Sequence, residues 1–287
     1  MARPIGFATC AQYRDLAPSD RLAADLLHRQ GWEVVPLVWT ETPPHSLNCA
    51  AVVIRSVWDY HLHSDRFLRW VQSIAEHALV LNSPQTISWN ADKRYLFHML
   101  QAGLPVPPMT LLDRGSEVNL INLLRSQRFH QAVIKPTVSA SGFETHLVTD
   151  ATAPDFQPRV NELLRSRALL IQEFVPEIES EGEWSLMFFG ASYSHTVRKL
   201  PRSGDFRVQA EHGGRHEIAH PPAAVKAVAT QVIERFAADT LYARIDIVEG
   251  NSSPLIMELE LIDPELFLTS ETAQAFVNAI LASLRSL

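Results

Sequence analysis

Three acidic residues near the C-terminus of this 287-residue chain have the types and spacing of a metal site. Glu258 and Glu260 lie two residues apart in an apolar run, so in a β-strand both side chains point to one face, while Met257 and the two leucines point to the other. Asp246 lies between two isoleucines, and pairing of the two strands would bring in a third carboxylate. Such oxygen ligands suit Mg²⁺ or Mn²⁺ and indicate nucleotide chemistry. The alternative for the glutamate pair alone is a solvated sheet face.

A second group of residues has the types needed to bind phosphates, although the chain has no Gly-x-x-x-x-Gly-Lys-Ser/Thr motif. Lys135 ends an apolar strand, and residues 137–142 form a small, hydroxyl-rich connection to the next strand. The backbone N–H groups of such a loop can close over phosphate oxygens. The candidates in this group are Ser139, Ser141, Gly142 and, as a second ammonium, Lys93.

The end of the strand at residues 169–175 has the pattern of an adenine-binding segment. Gln172 and Glu173 form a polar pair after an apolar run. The Glu173 side chain could accept a hydrogen bond from the adenine amino group, and the backbone of Phe174 and Val175 could pair with the ring edge. The alternative for Glu173 is an ordinary charge at the end of a strand.

The elements before residue 89 predict an α/β domain over residues 1–88. Strand-like runs at residues 5–8, 34–39 and 51–54 alternate with helix-like segments after Asp20 and after Ser64, which is typical of a parallel sheet. Ligands of open parallel sheets bind beyond the carboxyl ends of the strands. The substrate candidates in these loops are Thr9, Cys10, Arg55, Ser56, Trp58, Asp59 and Tyr60.

The remaining chain predicts two α+β units, at residues 89–172 and 173–287. A helix over residues 92–103 would end at a glycine before a proline-rich linker. Residues 109–174 have the pattern strand–helix–strand–strand–helix–strand. A strand-rich segment to residue 208, a helix near residues 222–238, the two carboxylate strands and a helix after Ser270 complete the prediction.

The composition restricts the partners and the compartment. A net charge of -7 and an isoelectric point near 5.9 argue against broad binding of nucleic acid or anionic membranes. No apolar run approaches the roughly 18 residues that span a bilayer. Only Cys10 and Cys49 are cysteines, and no signal-peptide pattern follows Met1, so a cytoplasmic location is expected.

Taken in order, these motifs resemble the ATP-grasp superfamily over residues 85–287, and the preceding region resembles the domain that these enzymes carry before it. The segments at 53–60, 194–199, 204–209 and 258–265 are similar to the subgroup that contains O-ureido-serine cyclo-ligase of cycloserine biosynthesis. The resemblance implies a parallel α/β pre-ATP-grasp domain followed by two α+β subdomains that sandwich ATP.

The resemblance also implies roles for individual residues. Lys93 and Lys135 would contact the phosphates of ATP, and the segment 172–175 would hold adenine. Two Mg²⁺ ions would be held by Asp246, Glu258 and Glu260, the last being a departure because many members have asparagine there. Charge on the transferring phosphoryl group and the acyl phosphate would be stabilised by Arg198, Lys199 and Arg207.

For the substrate, the first domain would supply a carboxylate clamp at Arg55, with Asp59 or Glu265 facing the amino group and Trp58 or Tyr60 forming a wall. The alternative is that Trp58 and Tyr60 only pack the domain junction while Arg55 pairs with Asp59. Cys10 is expected to be an unreactive thiol, since no activating partner is evident.

The resulting hypothesis is an ATP- and Mg²⁺-dependent ligase that joins a small amino-acid-like carboxylate to an amine through an acyl phosphate. A small-molecule kinase and a nucleotide-gated binding module without turnover are the alternatives. Neither the carboxylate nor the amine is identified by the sequence. The sequence also does not decide whether the reaction is the cyclisation of O-ureido-serine to cycloserine, or whether the chain forms a homodimer.

Overall fold

The computed structural model describes residues 3–209 and 212–285. Its first part is a parallel sheet of order β2-β1-β3-β4 with connecting helices. The elements are β1 (Ile5–Thr9), α1 (Pro18–Arg29), β2 (Val34–Val38), β3 (Ala51–Ser56), α2 (Ser64–Ala75) and β4 (Leu79–Leu81). This confirms the parallel α/β arrangement that the alternating strand and helix patterns predicted.

The second part is a four-stranded antiparallel sheet, here called the lid sheet, of order β5-β8-β6-β7. Its elements are β5 (Met109–Leu112), α5 (Leu120–Gln127), β6 (Gln131–Pro136), β7 (His146–Thr149), α6 (Ala153–Ser166) and β8 (Leu169–Glu173). The predicted order of strands and helices in this segment is therefore confirmed. The domain boundary placed at residue 172 falls inside β8.

Two short helices, α3 (Pro84–Asn90) and α4 (Tyr95–Gln101), connect the first sheet to the lid sheet. The single helix expected over residues 92–103 begins only at Tyr95, because the Lys93 amide donates to the Thr137 carbonyl (2.8 Å) outside any helix. The boundary expected at residue 88 falls inside α3. Gly103, with φ of +77°, ends the second helix as predicted.

The third part is a five-stranded antiparallel sheet, here called the large sheet, of order β11-β10-β9-β12-β13. Its elements are α7 (Glu177–Ser180), β9 (Glu183–Phe189), β10 (Ser192–Leu200), β11 (Arg215–Ile218), α8 (Ala223–Phe236), β12 (Tyr242–Glu249), β13 (Pro254–Glu260) and α9 (Ala273–Arg285). Helix α8 packs on one face of this sheet through Val225 and Val232, which lie in the same buried cluster as Ile245 of β12. The other face turns towards the lid sheet.

The N-terminal sheet and the large sheet share an apolar core. Ile5 and Phe7 of β1 belong to the same buried cluster as Phe189 of β9 and Phe276 of α9. Because these side chains are excluded from water, the N-terminal domain is fixed against one end of the large sheet. None of the helices in the described part of the chain combines the length and hydropathy needed to span a membrane.

Candidate active site

A cleft of about 670 Å³ lies between the lid sheet and the large sheet, and residues of the N-terminal domain line one end of it. This volume is within the range of small-molecule sites, roughly 300–1,000 Å³. All three parts of the chain contribute to its walls. The cleft is therefore where the predicted phosphate, adenine, metal and substrate residues should meet.

The acidic trio Asp246, Glu258 and Glu260 comes together in this cleft. One carboxylate oxygen from each residue lies within 4.8 Å of the others. Asp246 is directly opposite Glu258 in the antiparallel pairing of β12 with β13. The Asp246 side chain is 3% exposed, whereas Glu258 and Glu260 are 27% and 26% exposed towards the cleft. The donor set consists of hard oxygens and fits Mg²⁺ or Mn²⁺.

Strand β13 contains a β-bulge at this point, which corrects the expected direction of Met257. The pairing steps from Asp246 opposite Glu258 to Ile247 opposite Ile256, so β13 carries one extra residue. Met257 consequently lines the cleft beside Glu258 and packs with Phe174 and Val208, rather than pointing to the opposite face.

Basic side chains compensate the trio in the structure. The Arg244 guanidinium contacts Asp246 at 3.0 Å and also contacts Glu260, and the Lys199 ammonium contacts Asp246 at 3.2 Å. Burial would raise the pKa of Asp246, but Arg244 and Lys199 outweigh it and lower that pKa to about 2. Burial raises the pKa of Glu260 to about 7, opposed by Arg244 and reinforced by Glu258. Asp246 is thus more firmly ionised than Glu260.

Lys93 and Lys135 lie on the lid side of the cleft. The buried Lys93 ammonium forms an ion pair with Glu258 (2.9 Å) and donates to the Ser139 carbonyl (2.8 Å). Lys135 projects into the cleft from β6. Burial lowers the pKa of Lys135 to about 8, since the attraction of Glu258 only partly offsets desolvation and Lys93 adds repulsion. An anionic ligand beside Lys135 would offset both the desolvation of its ammonium and the repulsion from Lys93.

The loop at residues 137–142 covers the same end of the cleft. Ser139, Ser141 and Gly142 all line the cleft, and the Ser139 hydroxyl donates to the Pro136 carbonyl (3.1 Å). Gly142 has φ of +68°, which favours glycine, and a Cβ there would lie 3.1 Å from Nε2 of His212. The loop thus lies close to Gln209 and His212 across the cleft.

The predicted adenine segment also lines the cleft. Gln172, Glu173, Phe174 and Val175 border it together with apolar Val133 and Met257 from the two sheets. The Phe174 amide already donates to the Gln131 carbonyl (3.0 Å), so other backbone atoms of the segment would have to pair with a ring edge. Gln172 is buried, and its Nε2 has no hydrogen-bond partner among the described residues.

The basic residues expected around the transferring phosphoryl group are separated by the strand geometry. Lys199 and Arg207 line the cleft, and Arg207 is held in a bidentate pair by Asp205. Arg198 lies outside it, because neighbouring residues on β10 point to opposite faces. Its guanidinium binds Glu181 (2.9 Å) and lies 5.3 Å from the Trp184 ring, which corrects its expected position beside Lys199.

Arg55 is the largest departure at the substrate end. It is 1% exposed, and its Nε donates to Asp20 (2.8 Å) while one Nη donates to the Pro264 carbonyl (3.1 Å). Ser56 donates to the same Asp20 carboxylate. This placement corrects both the expected substrate clamp and the alternative pairing of Arg55 with Asp59, since Arg55 joins the N-terminal domain to the segment after β13.

The other substrate candidates divide into two groups. Trp58, Tyr60 and Glu265 line the cleft. Thr9, Cys10 and Asp59 lie outside its lining: Thr9 donates to the Tyr13 carbonyl, Cys10 is buried, and Asp59 accepts from the Trp39 indole (2.7 Å). Burial raises the pKa of the Cys10 thiol, which agrees with an unreactive cysteine.

The structure also places residues in the cleft to which the sequence patterns assigned no role. They include Tyr13, Ser19, Glu183, Arg244 and Asp263. Arg244 lies two residues before Asp246 on β12, and Glu183 lies two residues before Ser185 on β9, so strand alternation places each pair on one face. That alternation was the signal available in the sequence. No comparable pattern marks Tyr13, which lies between β1 and α1, or Ser19, which lies in the first turn of α1.

Comparisons with known proteins cover both the N-terminal domain and the cleft. The model of the N-terminal domain of D-cycloserine synthetase DcsG matches residues 5–82, and the model of the prokaryotic glutathione synthetase ATP-grasp domain matches residues 105–266, more than half of the chain. The cycloserine biosynthesis protein DcsG of Streptomyces lavendulae is 27% identical over 252 residues, covering 82% of this chain and 83% of that protein.

Two solved structures show the same architecture. A crystal structure of D-cycloserine synthetase DcsG has a TM-score of 0.84 at 23% identity, covering 98% of this chain and 99% of that one. A D-alanine–D-alanine ligase from Bacillus anthracis has a TM-score of 0.69 at 14% identity, covering 100% of this chain and 98% of the other. The chain therefore shares the fold of these proteins along its whole length.

Proposed function

This chain belongs to the ATP-grasp ligases, the family whose domain model covers its lid sheet and large sheet, and on that premise we propose that it is an ADP-forming carboxylate–amine ligase. ATP is the nucleotide of the family. The observation that carries the proposal is the convergence of Lys93, Lys135 and the acidic trio in one cleft. This set can bind a triphosphate and its cation, and it contains no protein nucleophile.

ATP would lie with adenine between the two sheets and its phosphates under the 137–142 loop. Glu173 and Gln172 would bind the polar edge of adenine, and Phe174 and Met257 would contact its faces. Lys93 and Lys135 would bind phosphate oxygens. Both ammoniums lie in the cleft, where Glu258 is the carboxylate that attracts them, and an anionic ligand would add the charge compensation that they lack.

Asp246, Glu258 and Glu260 would hold two Mg²⁺ ions, with Mn²⁺ as a substitute. When bound, these ions would neutralise charge on the β- and γ-phosphates of ATP. Arg244 and Lys199 already compensate the carboxylates, so cation binding must compete with these ion pairs. Glu260 in place of asparagine adds a charge that would strengthen cation binding, and Arg244 partly offsets it.

Alignment of the reacting groups and electrostatic stabilisation of the developing charge are sufficient to catalyse this reaction. The substrate carboxylate would attack the γ-phosphorus to form an acyl phosphate, and an amine would then attack the acyl carbon and release phosphate. Lys199 and Arg207 would stabilise the charge that develops in these steps. The 137–142 loop would keep water from the acyl phosphate.

The substrate would be a small amino-acid-like carboxylate, bound between the metal end of the cleft and Trp58, Tyr60 and Glu265. The match of residues 5–82 to the DcsG N-terminal domain and the 27% identity to DcsG support ring closure of O-ureido-serine to cycloserine as the specific reaction. A cytoplasmic location and a homodimeric state remain predictions of the sequence.

The test is incubation of the purified protein with ATP, Mg²⁺ and individual amino acids, including both enantiomers of O-ureido-serine. The ligase predicts ADP, phosphate and a condensed product that appear together and only with the correct carboxylate. For ligation the product mass is that of the substrates less water, and for O-ureido-serine it is that of cycloserine, once the carbamoyl group of the ring-closed product has been lost with water as carbon dioxide and ammonia. A phosphorylated product without free phosphate would instead identify a kinase. Stabilisation by ATP without turnover on any carboxylate would identify a binding module.

A further inference from the structure

Two buried polar atoms at the substrate end of the cleft have no hydrogen-bond partner among residues 3–209 and 212–285. They are the Asp263 Oδ2 atom and the Ser19 hydroxyl. Both residues line the cleft, and they are only 8% and 9% exposed. A buried carboxylate oxygen or hydroxyl without a partner is costly, so the pair indicates that a ligand supplies the missing contacts.

The other acidic groups at this end each have a hydrogen-bond or ion-pair partner. Glu265 accepts from the Phe267 amide (2.9 Å), Asp59 accepts from the Trp39 indole, and Asp20 binds Arg55. The Asp263 backbone carbonyl accepts from the Trp58 indole (2.9 Å), which fixes this segment against the N-terminal domain. The Asp263 side chain is thus held in place with an oxygen still available.

The neighbouring cations do not compensate Asp263 directly. Arg55 binds Asp20 and the Pro264 carbonyl, and although its Nη1 has no partner among the described residues, Arg55 does not line the cleft. Arg244 is committed to Asp246 and Glu260. Burial raises the pKa of Asp263 well above its usual value, and the nearby Glu260 charge raises it further, against the weaker effects of Arg55 and Arg244. This end of the cleft therefore favours a ligand that carries a positive charge.

We propose that Asp263 and the Ser19 hydroxyl bind an ammonium group of the substrate, and that this ammonium is not the nitrogen that forms the new bond. The proposal rests on the ligase function above. An ammonium held by a carboxylate has no lone pair and cannot attack an acyl carbon. The substrate class is consequently an α-amino carboxylate whose α-ammonium serves in recognition, while a second, neutral nitrogen acts as nucleophile.

The experiment compares matched carboxylates that differ only in the α-ammonium: D- and L-serine with 3-hydroxypropionate, D- and L-alanine with propionate, and O-ureido-serine with 3-(ureidooxy)propionate. ADP release with ATP, Mg²⁺ and hydroxylamine, which supplies a neutral nitrogen nucleophile to the carboxylates that lack one, gives kcat and KM. Calorimetry with Mg²⁺ and β,γ-imido-ATP gives affinity without turnover. The variants are Asp263→Asn, Ser19→Ala and, as a matched control, Asp113→Asn, which changes an exposed aspartate paired with Arg94.

The wild type and Asp113→Asn should prefer the ammonium-bearing member of a pair, and Asp263→Asn should lose between about 10- and 100-fold of that preference, the range for a hydrogen bond to a charged group. The loss should appear in KM and affinity, with kcat less affected, and Ser19→Ala should lose less. Unchanged preference in Asp263→Asn, or no preference in the wild type, overturns the assignment. A fall in kcat alone would overturn it too, because it would make Asp263 a base.

Failure of the ligase function has a different signature. If the wild type releases no ADP with any carboxylate, the ligase proposal fails, while the affinities measured with β,γ-imido-ATP still decide the role of Asp263. If ADP release occurs with equal efficiency for both members of every pair, the ligase proposal is supported and the proposed ammonium site is contradicted. Circular dichroism of each variant excludes unfolding as the cause of an altered preference.

Discussion

Lys135 is expected to take up a proton when ATP binds. Burial lowers its pKa to about 8, so at pH 8.5 only about a quarter of the molecules carry the charge. A triphosphate beside the ammonium favours the charged form and should return the pKa to at least the ordinary value near 10.4. The difference corresponds to an uptake of about 0.75 proton per nucleotide at pH 8.5, and about 0.1 at pH 7.

The choice of pH separates Lys135 from the other groups that titrate nearby. Glu260, with a pKa of about 7, is already about 97% ionised at pH 8.5 and has almost no proton to release. The terminal phosphate of the nucleotide, with a second pKa near 6, is ionised as well. Proton uptake at this pH therefore reports mainly on Lys135.

The assay is calorimetric titration of β,γ-imido-ATP with Mg²⁺ at pH 8.5 in buffers of different ionisation enthalpy. The slope of observed enthalpy against ionisation enthalpy gives the number of protons taken up. Lys135→Arg keeps the charge but does not titrate in this range, so its slope should be near zero. A wild-type slope near zero, or an equal slope in Lys135→Arg, would refute the account of Lys135.

Three further outcomes are expected. Glu258→Gln should lower kcat at saturating ATP by about a hundredfold or more, measured by ADP release across a Mg²⁺ titration, because it removes one oxygen ligand of the trio; activity within threefold of wild type would contradict this role. Lys199→Met should lower kcat by at least about tenfold, whereas Arg198→Met, on the opposite face of β10, should change it less than about threefold, and equal losses would contradict the assigned faces. Arg55→Met should reduce the free energy of unfolding in urea by about 3–5 kcal/mol because it leaves Asp20 buried without its partner, and an unaltered midpoint would contradict the structural role.

Local alternation in the sequence was sufficient to predict the sheet face that carries the acidic trio. Asp246, Glu258 and Glu260 each lie between apolar residues, and strand geometry then requires their side chains to share a side. The order of strands and helices around Lys135 was predictable for the same reason. These features depend on neighbours in the chain, so they are visible before any tertiary contact is known.

The features that sequence patterns missed depend on residues distant in the chain. A bulge at Met257 shifts the register of β13, and only its pairing with β12 reveals this. Arg55 follows a run of buried apolar residues, but its partner Asp20 lies 35 positions away on a helix, and no local spacing connects them. Arg198 was misplaced for a simpler reason, since its neighbour Lys199 has the cleft-facing position on β10.

The proposed function requires that the substrate carboxylate forms an acyl phosphate in the cleft between the two sheets. The most direct test is turnover of the substrate labelled with ¹⁸O in its carboxylate, with ATP and Mg²⁺, followed by mass spectrometry of the released phosphate. Because the acyl phosphate transfers one carboxylate oxygen to phosphorus, phosphate should carry one ¹⁸O atom per turnover. Unlabelled phosphate, or a stable phosphorylated product in its place, would contradict the account.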